Sequence, residues 1–417
     1  MKNFFLISLF VLSFLSVYTP AFGSYDIIGP QWFLLSILAF AFSFTLSFFS
    51  FFRDRIFLFY TLFIFLSIIS LLYTNNISIS LPDLSRHITI YVLTILFINF
   101  FFFSKIKFYY ISIFISLLLL YEVFYSLKPI LVEIYFNRLK ILDATSINLM
   151  SLRGVTGNKN IAAASIVLKS VFAFYLLITT SSVFKKILIS SLLVLSITNV
   201  FILSARASLI SIMLVIFFTL TYLIYSFVKE RKFSDMISFA LLMFITISAF
   251  FLSNIILPND GNSVFNRLNN IQISNESSSN RLQLWESAVD YIYNNPFIGC
   301  GIGNWKVESA YYLRNTGADY LVPYHAHNDF LEFTTELGLL GGFTYFIMFV
   351  LTASTLLRLI YVSTNKFKFL TVFLLFLVYS IDATFNFPYE RPIMQIPFAF
   401  ILSFTIFESF KLKNLEK

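Results

Sequence analysis

Long apolar runs separated by short polar punctuation make up most of this chain of 417 residues. About twelve of them approach membrane-spanning length, at roughly 3–19, 31–52, 56–73, 88–104, 107–127, 161–180, 184–203, 207–228, 236–257, 337–360, 368–386 and 393–411. A hydrocarbon core about 30 Å thick takes roughly 20 apolar helical residues to cross. The runs do not alternate as barrel strands do, so helices are expected. The pattern predicts an all-α polytopic membrane protein with about 12 transmembrane helices.

The polar gaps set the orientation. Every second short connection collects cations: Arg53 and Arg55, Lys105 and Lys107, Lys185 and Lys186, Lys229 with Arg231 and Lys232, then Lys366 and Lys368, with Lys411 and Lys413 after the last run. Basic residues resist translocation, so these connections are expected to face the cytoplasm and the others to face outward. The first run also resembles a signal peptide, with Lys2, a short apolar core and Ala21-Phe22-Gly23; a retained helix is expected. Two outward loops are too long to be connectors, roughly 128–160 and 258–336. The expected organisation is therefore 1–257 with helices 1–9 and an external loop near 128–160, 258–336 as a large loop domain between helices 9 and 10, and 337–417 with helices 10–12 and a cytoplasmic tail.

Composition agrees with a membrane protein: 58% hydrophobic residues, 12% charged residues and a mean hydropathy of +0.83. The net charge of +8 is accounted for by the inward loops, so no nucleic-acid partner is implied. Cys300 is the only cysteine, which excludes an intramolecular disulfide.

Within the large loop, Arg281–Tyr293 spaces Leu282, Trp285, Ala288 and Tyr291 as one face of an amphipathic helix, with Ser277–Ser279 and Asn280 available to cap it. Asn295-Pro296 then breaks the pattern, and Gly299-Cys300-Gly301-Ile302-Gly303 follows. Without a βαβ context this is no dinucleotide fingerprint; either a plain tight turn or close approach of the backbone to another helix or to a ligand phosphate explains it. Beyond it lies His325-Ala326-His327-Asn328-Asp329. A neutral imidazole is suited to accept a proton near neutral pH, whereas a metal would need a third ligand for which no pattern exists, so no metal site is expected. Arg153, Lys159, Arg206, Arg281 and Arg314 sit on the outward side despite the positive-inside rule. Arg206, in the short turn Ser204–Ser208, and Arg281 could clamp a diphosphate or simply snorkel to lipid headgroups. Glu122 and Lys169, inside apolar runs, and Asp382 require partners that spacing alone does not identify.

Taken together these residues resemble the O-antigen ligase and O-antigen polymerase superfamily of bacterial membrane glycosyltransferases. His327-Asn328, nine residues, then Gly338-Leu339-Leu340-Gly341 is similar to that family's His-Asn and Gly-x-x-Gly signature. Gly157-Asn158-Lys159-Asn160, Ser204-Ala205-Arg206, and Arg281 with Trp285 ahead of the glycine stretch agree with it. The resemblance implies a C-type glycosyltransferase-like fold in the bacterial inner membrane with its site facing the periplasm. It implies an undecaprenyl-diphosphate-linked glycan as donor, an inverting reaction, and no cofactor or metal. The acceptor hydroxyl would belong to lipid A core for a ligase, to another glycan for a polymerase, or to protein for an O-oligosaccharyltransferase. In this reading His327, Arg206 and Arg281 are catalytic. His325, Asn328, Lys159, Asn158, Asn160, Arg153 and Glu332 contact substrate, helix capping being the alternative for both Asn158 and Asn160. A transporter of the lipid-linked glycan is the competing class.

Overall fold

The computed structural model describes residues 2–23, 26–45, 53–136, 153–256, 281–313 and 324–415. Among these there are fourteen α-helices and no strand. Residues 137–152 of the predicted 128–160 loop, the Ser277–Asn280 cap and Arg314 lie outside the described residues. The helices are α1 (Lys2–Ser16), α2 (Gly29–Ser43), α3 (Arg55–Ile69), α4 (Ile77–Ser104), α5 (Phe108–Phe136), α6 (Lys159–Thr179), α7 (Val183–Leu203), α8 (Arg206–Glu230), α9 (Phe233–Ile256), α10 (Arg281–Asn294), α11 (Trp305–Leu313), α12 (Asp329–Val362), α13 (Lys366–Phe385) and α14 (Pro392–Leu415). Ten of these helices are long and apolar enough to cross a bilayer, which makes this a multi-pass membrane protein. The two runs expected nearest the N-terminus form shorter apolar helices, α1 and α2, of 15 residues each.

Two helices start earlier than the apolar runs suggested, and both extensions carry polar chemistry. Asn76 caps α4, its side-chain oxygen accepting from the Ser78 N–H at 3.1 Å. With 28 residues, α4 is about 42 Å long, about 12 Å more than the bilayer core, and its first three turns carry Asp83, Arg86 and His87. Likewise α12 begins at Asp329 rather than near 337, because the Asn328 side chain accepts from the N–H groups of Phe330 (3.0 Å) and Leu331 (3.1 Å).

The helices group into two compact units. One comprises residues 1–105, 272–363 and 382–417. Here α4 packs along α14 and α3 along α12. Phenylalanines fill the seams: Phe10 stacks on Phe100 with centroids 4.6 Å apart, and Phe63 meets Phe333 and Tyr345 at 5.0 and 5.2 Å. The other unit comprises 106–271 and 364–381. Its centre is α6, buried on all sides against α5, α7 and α8, as expected of a helix with no polar face. Glu122 and Lys169 turn out to be each other's partners in this unit. Their charges meet at 2.8 Å, and Ser165 bridges them, donating to Glu122 at 2.8 Å and accepting from Lys169 at 2.6 Å. A closed pair of this kind removes the cost of isolated charges at membrane depth.

In the first unit, α12 is interrupted at Gly338, whose φ of 72° and ψ of −180° are accessible only to glycine. The break frees the carbonyls of Thr335 and Glu336, which accept from the N–H groups of Cys300 (3.0 Å) and Gly301 (2.9 Å), while Leu339 N–H donates to the Pro296 carbonyl at 2.8 Å. The glycine stretch is thus a backbone splint across a helix break. A side chain on Gly299 would collide with the Thr335 and Glu336 backbone, and one on Gly338 with the Phe297 carbonyl. Gly338→Ala is expected to cost at least about 1–3 kcal/mol through forced left-handed backbone alone, read as a lowered midpoint of thermal unfolding in detergent. An unchanged midpoint would contradict the splint.

Candidate functional site

The residues following the second polar gap of the large loop converge at the start of α12, in the first unit. Tyr291, Ala288, Cys300, Trp305 and Ala326 form a small apolar core that seats α10 and the His325–His327 turn, with Leu331 packed against it. Asn304 ties the glycine stretch to the beginning of α4, its amide donating to Thr74 at 2.6 Å and to Ser80 at 2.7 Å. The histidine turn therefore rests on three elements fixed by hydrogen bonds.

His325 is built into an ionic cage. Its Nδ1 lies 2.8 Å from Glu332 Oε1, and its Nε2 lies 3.1 Å from Glu390 Oε2. The ring stacks on Phe387 with centroids 4.2 Å apart. Tyr389 donates its hydroxyl proton to Glu332 Oε1 at 2.7 Å, and the Ala326 N–H donates to Glu332 Oε2 at 2.9 Å. Burial works against a charge on His325, but Glu332 and then Glu390 outweigh it and lift its pKa to about 10. Burial would raise Glu390, yet the hydrogen bond and charge of His325 bring it down to about 2. His325 is therefore an imidazolium locked between two carboxylates at neutral pH, unsuited to take a proton. The same cage extends outward: Arg86 reaches Asp83 at 2.9 Å and Glu390 at 3.3 Å, and Lys306 lies 3.1 Å from Asp83.

The pH dependence follows with a definite sign. A histidine raised above its unfolded value of about 6.5 contributes stability that is fully present below that pH and lost as pH rises through about 10. Unfolding midpoints in detergent are expected to fall between pH 6.5 and 10, and the fall should be shallower in His325→Gln. Parallel curves for the two proteins would remove the cage from the account.

His327 is the opposite case. It adopts a left-handed backbone, φ 52°, rare for a residue with a side chain. Its ring lies edge-on to Phe387 at 4.9 Å, and its Nδ1 is buried with no hydrogen-bond partner among the described residues. Burial pushes its pKa down to about 3, with Arg281 and His325 adding to the shift, so the imidazole is neutral. Arg281, the first residue of α10, donates to Asn386 Oδ1 at 3.1 Å, and the Asn386 amide donates to Asp382 Oδ1 at 2.5 Å.

The structure thus gathers five of the sequence-predicted residues, Arg281, His325, His327, Asn328 and Glu332, at one place. It engages Asn328 as the cap of α12 and both carboxylate oxygens of buried Glu332 in holding the turn. The other five lie in the second unit. Asn158 caps α6, accepting from the Asn160 N–H at 2.9 Å, with Lys159 as the first helical residue. Arg153 is exposed just before the turn Gly154–Thr156. Arg206 opens α8 after the left-handed Ser204.

Sequence reasoning did not find Glu390, Tyr389, Phe387, Arg86 or Lys306. The one available signal was Asn386-Phe387-Pro388-Tyr389-Glu390-Arg391-Pro392, a charged turn held between two prolines and two apolar runs. Among the described residues no three His, Cys, Asp or Glu side chains converge as a ligand set for a metal ion. No curated protein matches the chain. Residues 191–346, the stretch carrying Arg206, Arg281, both site histidines and the Gly338 break, match the family described as O-antigen ligase.

Proposed function

We propose that this protein transfers a glycan from an undecaprenyl-diphosphate carrier to an acceptor hydroxyl, with inversion at the anomeric carbon and without a metal, as an O-antigen ligase with lipid A core as acceptor. The family match supports the coarser part, a glycosyltransferase-like membrane enzyme. The observation that carries the finer reading is His327: a neutral imidazole with a bare, buried nitrogen beside the Arg281 guanidinium.

In this mechanism the acceptor oxygen bonds to the anomeric carbon as the bond from that carbon to the diphosphate oxygen breaks. The hydroxyl proton passes to His327, and the electron pair of the broken bond leaves with the diphosphate. Arg281 opposes the charge developing on that diphosphate, the kind of electrostatic contribution that often dominates. A bound diphosphate near Arg281 also favours the imidazolium, raising His327 toward a useful base strength only when donor is present. His325 and Glu332 hold the turn, while Asn328 would orient a sugar or phosphate group. The site would face the periplasm of the inner membrane, as the distribution of cations among the loops supports.

Repeat-unit polymerisation and protein O-glycosylation use the same donor chemistry. Offering purified protein the lipid-linked glycan with lipid A core, free lipid-linked repeat units or Ser/Thr peptides in parallel separates them. Product formed only on lipid A core supports the ligase; product on either other acceptor reassigns the acceptor while keeping the transfer.

A further inference from the structure

Arg391, in the turn between α13 and α14, is a cation of the first unit that the mechanism above leaves unused. Phe387, Tyr389 and Glu390 of the same turn contact His325. The Arg391 guanidinium lies over the Phe387 ring, 5.1 Å from its centroid, and the His327 ring lies 4.9 Å from that same centroid. One phenylalanine thus touches the guanidinium and both site histidines. The charge of Arg391 is answered by neighbours, since Glu390 and Asp26 attract it while Arg86 opposes it. Its hydrogen-bond donors are not answered. The Arg391 Nη2 is 3.8 Å from Glu390 Oε2, too long for a hydrogen bond, and that oxygen already lies 3.1 Å from His325 Nε2. Asp26 spends Oδ1 on the N–H groups of Ile28 and Gly29. The Nε of Arg391 is buried with no hydrogen-bond partner among the described residues. The side chain is 19% exposed, so a ligand can reach its outer edge.

A guanidinium presents five N–H donors in a planar fork that matches the oxygens of a carboxylate or phosphate, and burying it without acceptors is costly. Arg86 shows the contrast within the same cluster, reaching Asp83 at 2.9 Å and Glu390 at 3.3 Å. Arg281, already donating to Asn386, is the one arginine that the mechanism sets against the donor. A diphosphate spreads its charge over two phosphoryl groups, of which a single guanidinium meets only part. We infer that Arg391 is a second phosphate-binding residue of this site, its guanidinium donating to an oxyanion of the substrate beside Phe387. The identity of that substrate rests on the transfer reading above, which supplies phosphate on the donor or on a phosphorylated acceptor; the binding of phosphate by Arg391 does not.

The test follows thermal unfolding of the purified protein in detergent against inorganic diphosphate, with potassium chloride at matched ionic strength as control, alongside steady-state turnover. Diphosphate is expected to raise the wild-type midpoint, and chloride is not. In Arg391→Gln the diphosphate concentration needed for half the shift should rise roughly 10–100-fold, the worth of a hydrogen bond to a charged group. The KM of one substrate should rise with it, and kcat should change less. A rise for the lipid-linked donor puts its diphosphate on Arg391; a rise for the acceptor alone puts an acceptor phosphate there. Arg391→Lys keeps the charge that Glu390 and Asp26 attract but loses the fork, so it should hold the ligand-free midpoint and fall between wild type and Arg391→Gln. Lys185→Gln/Lys186→Gln, in the second unit, should behave as wild type. An Arg391-dependent diphosphate shift in a protein that transfers no glycan keeps the phosphate site and removes the transfer reading. Wild-type diphosphate response and wild-type KM values in both Arg391 variants, or an equal shift with chloride, overturn the inference.

Discussion

His327→Ala is expected to lower acceptor-dependent turnover by about 10²–10⁴-fold, the usual contribution of a positioned base, while leaving the unfolding midpoint nearly unchanged. The second half of that expectation comes from geometry. The ring is largely buried, its Nδ1 holds no hydrogen-bond partner among the described residues, and its burial disfavours charge, so removing it breaks no hydrogen bond that supports the turn. His327→Gln keeps a hydrogen-bonding group but cannot accept a full proton, and should fall close to the alanine variant in turnover. If His327→Ala retained wild-type turnover, the proton would have to go elsewhere. His325 would not be the replacement, since its pKa near 10 leaves it already protonated.

Glu332→Ala is expected to do the reverse, destabilising the protein by about 3–5 kcal/mol, the cost of removing one partner from a buried charge pair. Three groups lose their acceptor at once: the His325 ring, the Tyr389 hydroxyl and the Ala326 N–H. His325 keeps Glu390, which itself also serves Arg86, and the Tyr389 hydroxyl at 3.3 Å. Pairing Glu332→Ala with His325→Gln in a double-mutant cycle should recover much of the loss, because the stranded charge is then gone. A single-variant effect within about 0.5 kcal/mol of wild type, as for ordinary surface positions, would mean the cage does not hold the turn.

These two histidines show where the sequence was readable and where it was not. The apolar runs gave most of the spans, since periodicity and length are local properties of the chain. The starts of α4 and α12 were placed too late because Asp83, Arg86, Asp329, Glu332 and Glu336 look too costly for membrane helices. They are tolerated there because Lys306 and Tyr389, from distant segments, and His325, just ahead of α12, are brought against several of them. The motif around His327-Asn328 drew attention to the turn beside the ionic cage, yet it did not separate the surroundings of His325 from those of His327. That separation depends on Glu390 from a turn 65 residues beyond His325, which no spacing rule connects to it. Glu122 and Lys169 were each conspicuous in sequence, and only packing of α5 on α6 identified them as a pair. The glycine stretch 299–303 admitted either a turn or close approach; the hydrogen bonds across the α12 break decide for close approach.

The most direct test of the central claim is the fate of the donor itself. Protein reconstituted in vesicles with undecaprenyl-diphosphate-linked glycan and lipid A core is followed for release of free undecaprenyl diphosphate. Release in step with acceptor glycosylation, absent without acceptor and lost in His327→Ala, is the predicted result. A donor that crosses the bilayer with its glycosidic bond intact, at the same rate in wild type and His327→Ala, would contradict transfer and make the protein a lipid carrier.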